Sequence, residues 1–255
     1  MVGYSFYSLF EDCTSLTKAP ALPATTLARD CFEFMFSGCT SLTEAPVLPA
    51  TTLYGSCYAS MFMGCRSLTK APELPATTLA QWCYYHMFEG CASLTKAPEL
   101  PATTLANYCY DSMFRDCTSL TEAPVLPVTT LTDHCYYGMF SGCTSLTKAT
   151  ELPATTLTDH CYYGMFWGCT SLTKAPVLPV TTLYRYCYQY MFYGCSSLNE
   201  VRCQMLSTYS SSNISNYASG WLEGVASTGT FYTNADANWP SGASGIPTGW
   251  TRINT

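Results

Sequence analysis

The chain has 255 residues, of which 48% are hydrophobic and only 11% are charged, and its formal net charge is −6. A negative chain without Lys/Arg clusters has little with which to release counterions from a phosphate backbone, so we expect no nucleic-acid partner. No apolar run approaches the ~18 residues of a membrane-spanning helix, so we expect no membrane span in this chain.

The sequence opens in the middle of a 26-residue repeat and continues it without an insertion to about residue 203. Each copy reads roughly C-T-S-L-T-K-A-P-x-L-P-A-T-T-L-x-x-x-C-Y-x-x-M-F-x-G. The first cysteine recurs at Cys13, Cys39, Cys65, Cys91, Cys117, Cys143, Cys169 and Cys195, and the second at Cys31, Cys57, Cys83, Cys109, Cys135, Cys161 and Cys187. A fixed period of this length is typical of a solenoid, in which each coil packs only on its neighbours.

Each coil is predicted to contain one short helix and one short strand. Apolar residues recur every four positions, as expected of a helix stripe, at Leu27, Cys31, Met35 and Cys39. Gly38 is predicted to end that helix. Residues 42–45 are predicted to form a strand that Pro46 stops, since proline cannot donate to a ladder. Because helices pack ~8–10 Å apart and strands ~5 Å apart, the stack is expected to curve with its strands inside.

The cysteines are predicted to be buried thiols that fill the core. On a helix, Cys31 and Cys39 would lie ~12 Å apart, beyond the ~7 Å Cα limit for a disulfide. Disulfides along the Cys39-type ladder stay open as an alternative. No C-x-x-C pair occurs, which disfavours zinc. The predicted structural core comprises Cys39, Cys65, Cys91, Cys117, Cys143, Cys169, Met61, Met87, Met113, Met139 and Met165.

Several positions between the core residues change from coil to coil and are rich in Tyr, Trp, Arg and His. They are predicted to lie on the outer helix face, where such side chains carry much of the energy of interfaces. The alternative is that these surface positions vary from coil to coil without any role in binding. The candidate ligand-binding residues are Trp82, Tyr85, Tyr108, Arg115, Tyr137, Tyr163, Trp167, Arg185, Tyr186, Tyr190 and Tyr193.

Chemistry beyond binding has little support in the sequence. Two Asp-His pairs occupy equivalent positions in adjacent coils and form a weak candidate metal site, Asp133, His134, Asp159 and His160. Duplication of one coil explains the same pattern, so we predict no metal and no cofactor. No G-x-S-x-G motif, phosphate loop or paired buried carboxylates are recognisable. We therefore do not expect an enzyme.

The repeat ends near residue 203, which divides the chain into a predicted solenoid at 1–203 and a C-terminal cap at 204–255. The solenoid comprises a partial first coil and seven complete coils. In the cap, "GTFYTN" and "GWTRIN" are predicted strands, paired as a β-hairpin. Covering the last apolar face of the stack is the expected role of this segment. A small carbohydrate-binding module is the alternative.

The segment "MFSGCTSLTEAPVLPATTL", Met35 to Leu53, resembles the BspA-like leucine-rich repeats of bacterial surface proteins. The resemblance covers about residues 5–203, and the C-terminal segment is similar to tails that follow such repeats in gut Bacteroidetes and phage-encoded proteins. It implies a right-handed α/β solenoid with parallel strands on the concave side, helices on the convex side and a small β-containing cap. It also implies a secreted or surface-exposed protein without enzymatic activity.

Together these features predict a non-enzymatic recognition or adhesion protein, extracellular or on a cell surface, that binds a host or microbial protein or glycan. The alternative is a structural spacer or self-assembling fibre segment of a cell surface or a phage virion. Self-association at high concentration would favour the second interpretation.

Overall fold

The regular strands among the described residues form one parallel sheet. The computed structural model describes residues 2–205, 214–242 and 244–255. Its regular strands are β1 (Lys174–Leu178), β2 (Glu200–Cys203), β3 (Gly229–Thr233) and β4 (Trp250–Asn254). They pair in the order β1-β2-β3-β4, each parallel to the next.

In the earlier coils the strand side is reduced to isolated parallel bridges between residues 26 apart, such as Thr26 with Thr52 and Glu44 with Lys70. The prolines of each coil explain this, because every proline removes one donor from the ladder. The prediction of short parallel pairings that proline interrupts is confirmed. Even β1 contains Pro176, and its register shifts between Lys174 and Val177.

The prediction of helices on the convex side is wrong. Among the described residues the only α-helix is α1 (Ser215–Ala218), which lies outside the repeats. The segments predicted as helices are successive tight turns, in which Met35 N–H donates to Phe32 O at 3.2 Å and Cys39 N–H to Phe36 O at 3.1 Å. The amides that alternate with these donate to carbonyls of the next coil, as Phe36 N–H does to Met61 O at 2.9 Å.

The backbone torsions give the physical reason for these turns. Asp30, Phe34 and Gly38 have φ of 55°, 55° and 71°, and equivalent residues recur in the other coils. A left-handed residue at the third position is what a type II turn requires, and a right-handed helix cannot continue through it. The apolar spacing of four residues therefore comes from a turn repeated every four residues. We call this side of the solenoid the turn side.

Coils on the turn side are as closely spaced as hydrogen-bonded backbone allows. Buried rings of adjacent coils stack with centroids 5.7 Å apart for Phe36 and Phe62, and 6.1 Å apart for Tyr58 and Tyr84. Helices would have separated the coils by ~8–10 Å. Coils on the turn side are therefore not spaced more widely than on the strand side, and the expected cause of curvature is absent.

The core of the solenoid consists of continuous columns of equivalent side chains. Every predicted core cysteine and methionine is buried, with 0% exposure for Cys39, Cys117 and Met113 among them. All sixteen cysteines are free thiols, and only Cys13 is exposed. From Cys39 onward, each thiol of the first set also donates to a phenylalanine carbonyl of the preceding coil, as Cys117 Sγ does to Phe88 O at 3.1 Å.

The predicted C-terminal hairpin is wrong, because β3 and β4 pair parallel rather than antiparallel. The chain between them winds back across the stack, where Trp239 lies on Trp221 with ring centroids 4.9 Å apart. Trp221 in turn follows Tyr188 in a buried ring column. The boundary at residue 203 stays a prediction, and backbone pairing from β2 to β3 crosses it.

Candidate binding surface on the turn side

A column of partly exposed rings runs along the turn side through five successive coils. Centroids are separated by 5.7 Å between Trp82 and Tyr108, 4.4 Å between Tyr108 and His134, and 4.5 Å between His134 and His160. Tyr186 continues the column 4.8 Å from His160. The sequence-predicted residues of this position thus come together in one line.

The backbone beneath this column is left-handed at every one of these residues. The φ angles are 57° at Trp82, 59° at Tyr108 and 57° at His134, with 53° at both His160 and Tyr186. Glycine would adopt this conformation freely, whereas a residue with a Cβ atom carries a cost of ~1–2 kcal/mol. Asp30 and Ser56 adopt the same conformation at this position in earlier coils, so the turn imposes it, and the large rings of the later coils are the feature that suggests a role for the side chains.

A second aromatic group lies beside the first. Tyr137 and Tyr163 stack in parallel with centroids 4.5 Å apart and planes 4° apart. Trp167, Tyr190 and Tyr193 continue the group at steep angles, with Trp167 4.9 Å from Tyr193 and 5.4 Å from Tyr190. Because these rings tilt instead of stacking, Trp167 remains 40% exposed. Burial, followed by the neighbouring Tyr137, raises the pKa of Tyr163 to about 12.

A groove of about 480 Å³ opens between this second group and the ends of the turns. Gly138 and Gly164 line it at a position where other coils carry side chains such as Ser112 or Tyr190. The missing side chains in two adjacent coils leave the space open. The complete lining is Ser112, Arg115, Asp116, Tyr137, Gly138, Ser141, Gly142, Tyr163, Gly164, Trp167 and Gly168.

Charged residues border the groove at one end. Arg115 Nε lies 3.8 Å from Glu89 Oε1 and 3.8 Å from Asp116 Oδ2, so its charge is balanced. Tyr85 lies beside this group and packs on His86 with ring centroids 3.9 Å apart. The structure thus places the predicted Arg115 and Tyr85 next to the second aromatic group.

Arg185 lies apart from the groove, at the other end of the first column. Its guanidinium carbon is 4.9 Å above the Tyr186 ring, a cation–π contact on an exposed part of the surface. We call the two aromatic groups together, with Tyr85, Arg115 and Arg185, the aromatic surface.

The weak candidate metal site is not assembled among the described residues, which contain no group of three or more potential metal ligands. The rings of His134 and His160 stack with planes only 14° apart. Since the lone pairs of an imidazole lie in the ring plane, two parallel rings cannot direct them to one ion. His160 Nδ1 instead faces Asp159 Oδ1 at 3.2 Å, while Asp133 Oδ1 accepts the Asp159 amide at 3.2 Å.

A family model described as the BspA type leucine rich repeat region, with six copies, matches residues 34–173 and 136–225. The chain belongs to this family. The comparison with curated proteins gives no match. BspA-type repeats generally serve protein–protein interaction rather than catalysis, and they are typical of surface proteins. The match extends beyond residue 203, in agreement with the ring columns and strand pairing that continue there.

Two features of these BspA-type repeats were missed by the sequence analysis. The first is the groove, which depends on Gly138 and Gly164, and neither glycine was among the candidate residues. The sequence does contain a signal for it. The same position holds Phe34, Ser60 and His86 in earlier coils, so two successive glycines there indicate a gap in the surface. The second is thiol donation to carbonyls of the preceding coil, for which the sequence offers no signal.

Proposed function

We propose that the protein is a non-enzymatic recognition protein, extracellular or on a cell surface, that binds a protein or glycan partner through the aromatic surface. The observation that carries this proposal is the surface of partly exposed rings itself, in which Trp167 is 40% exposed and Trp82 and Tyr108 lie at left-handed positions where glycine would relieve backbone strain. Tyr and Trp are also the residues that supply most binding energy at interfaces. Family membership supports the same class of function.

The surroundings of the surface are consistent with this proposal. The charges around Arg115 are paired, so binding would depend on ring contacts and hydrogen bonds more than on net charge. No helix among the described residues has the length and apolarity needed to cross a membrane.

The test removes three rings of the second group together, by Tyr163→Ala, Trp167→Ala and Tyr193→Ala. Wild type and variant are compared on arrays of purified surface proteins and of glycans. We expect at least a tenfold loss of affinity for the bound partner with little change in thermal unfolding. Tyr54→Ala, which removes a ring 48% exposed in another coil, is the matched control. Unchanged binding by the triple variant, or no binding to any array member, would contradict the proposal.

Self-assembly is the second candidate function, because β4 is the edge strand of the sheet and its residues 251–254 are exposed. Edge strands with unpaired backbone groups are ready templates for another chain. Light scattering after size exclusion, over a range of concentrations, tests it directly. A monomer at every concentration would argue against this alternative.

A further inference from the structure

The groove at Gly138 and Gly164 contains the same arrangement twice. Tyr137, Gly138 and Gly142 in one coil correspond to Tyr163, Gly164 and Gly168 in the next. The two coils are joined directly, since Gly138 N–H donates to Tyr163 O at 2.8 Å and Gly142 N–H donates to Trp167 O at 2.7 Å. Two copies of one subsite therefore lie side by side, separated by the ~5 Å that is typical of hydrogen-bonded neighbours.

A surface that repeats at such a short interval suits a ligand that repeats at a similar interval. A pyranose ring in an extended linear chain advances by a similar length, so successive sugar residues could contact successive coils in the same way. A compact ligand would use one copy only. The regularity of the groove therefore favours a linear polymer lying along the solenoid axis.

The chemistry of the lining favours an uncharged polymer of hydroxylated rings. Trp167 offers a partly exposed indole, and the hydroxyls of Tyr137, Tyr163 and Ser141 offer donors and acceptors. Arg115 is already balanced by Glu89 and Asp116, so an anionic ligand would meet no free positive charge. The lining exposes more polar than apolar surface, which suits a ligand rich in hydroxyl groups.

The backbone of the groove disfavours an extended peptide. Peptides that add to a protein edge rely on unpaired main-chain donors and acceptors. Here the amides of Gly138, Gly142, Gly164 and Gly168 all donate to the following coil. The carbonyls of Gly138 and Gly164 also accept turn hydrogen bonds, from Ser141 and Trp167. The backbone at the base of the groove thus has no unpaired amides at these four glycines with which an extended peptide could pair.

We propose that this groove binds a neutral linear polysaccharide, with about one sugar residue contacting each coil. The inference rests on the proposed function, because it names the ligand class of the same surface. Trp167 would pack on the apolar face of a sugar ring, and the tyrosine hydroxyls would bond its hydroxyl groups.

The test measures calorimetric affinity for purified oligosaccharides, from monosaccharide to hexasaccharide, in β-1,4-linked glucose and N-acetylglucosamine series and an α-1,4-linked glucose series. We expect affinity in at least one series to rise up to about the trisaccharide and then level off, because the groove spans three coils. Indole fluorescence should change on binding in the wild type. No binding in any series, or affinity independent of chain length, would overturn the inference.

Two variants test the position of the ligand. Trp167→Ala removes the exposed ring, and Gly164→His fills the floor with a residue that the fold already accepts at this position, since His86 has φ of 52° there. Each should weaken oligosaccharide binding at least tenfold, while Tyr54→Ala leaves it unchanged. Undiminished binding in both variants would place the sugar elsewhere and overturn the inference.

The array experiment separates this inference from the proposed function. If a protein partner binds through the aromatic surface and no oligosaccharide does, the polysaccharide assignment fails and the recognition function stands. If nothing binds, both fail.

Discussion

Replacement of Asp111 by asparagine is predicted to stabilise the protein above neutral pH and to have little effect in acid. Asp111 is only 6% exposed, and its carboxyl accepts a hydrogen bond of 2.8 Å from the Ser112 hydroxyl. The nearest basic side-chain atom, Nε2 of His86, lies 4.0 Å away. Burial outweighs the opposing effects of Ser112 and His86 and raises the pKa of Asp111 from 3.8 to about 6.

The pKa difference sets both the sign and the size of the effect. Because folding raises the pKa of Asp111, its contribution to stability is complete below about pH 4 and is lost as the pH rises through about 6. At ~1.4 kcal/mol for each pKa unit, the ionised carboxyl destabilises the folded state by roughly 3 kcal/mol near pH 8. Asparagine has the same shape, can accept the Ser112 hydrogen bond and has no charge to bury. We therefore expect Asp111→Asn to gain about 2–3 kcal/mol near pH 8 and almost nothing near pH 4.

The assay is urea unfolding of both proteins near pH 4 and near pH 8, on either side of the sequence pI of about 4.9. Repeat proteins can unfold coil by coil, so amide exchange at His86, whose N–H bonds Asp111 O at 2.9 Å, reports the local effect. Asp116→Asn is the control, since its side chain is 57% exposed and surface changes usually stay within ~0.5 kcal/mol. If Asp111→Asn is no more stable than wild type near pH 8, the neighbouring cations stabilise the ionised carboxyl and the reasoning is refuted.

Two further predictions concern the columns of the solenoid. Cys117→Ala should destabilise the protein by ~1–3 kcal/mol, because it opens a cavity and removes the thiol donor to a carbonyl, whereas the equivalent change at exposed Cys13 should cost little in urea unfolding. Gly168→Ala should cost ~1–2 kcal/mol, because φ is 70° there. Gly142→Ala should cost more, since its added Cβ would also collide with the Asp116 carboxylate, and Asp116→Gly should recover that difference. Equal losses at the two glycines would contradict the steric account.

The repeat, the buried columns and the parallel pairing could be predicted from the sequence, but the helices could not. In a helix of 3.6 residues per turn, a strict four-residue spacing drifts by about 40° at each step. Over three steps from Leu27 to Cys39 the apolar stripe would turn by about 120°, too far to stay on one face. A four-residue spacing without drift is what repeated turns produce. Gly38 and its equivalents were predicted to end helices. In the structure each of them is one of several left-handed residues within its turn segment.

The aromatic candidates could be chosen from the sequence because variation among coils identifies surface positions without any structure. Their arrangement could not. Stacking of Tyr137 on Tyr163 and tilting of Trp167 depend on the distance between coils, and helices would have placed those rings too far apart to touch. The groove was missed for the same reason, since a glycine creates space only when its neighbours are close.

The groove also shows how a one-dimensional fold can produce a binding site. Residues 131–140 and 157–166 are identical, with Leu-Thr-Asp-His-Cys-Tyr-Tyr-Gly-Met-Phe in both coils. Because each coil contacts only its neighbours, repetition of one coil repeats its surface at a fixed interval without disturbing the core. In a globular domain the same duplication would place the copies in unrelated surroundings. A periodic ligand is therefore the class that gains most from this architecture, since each repeated coil adds one further contact of the same kind.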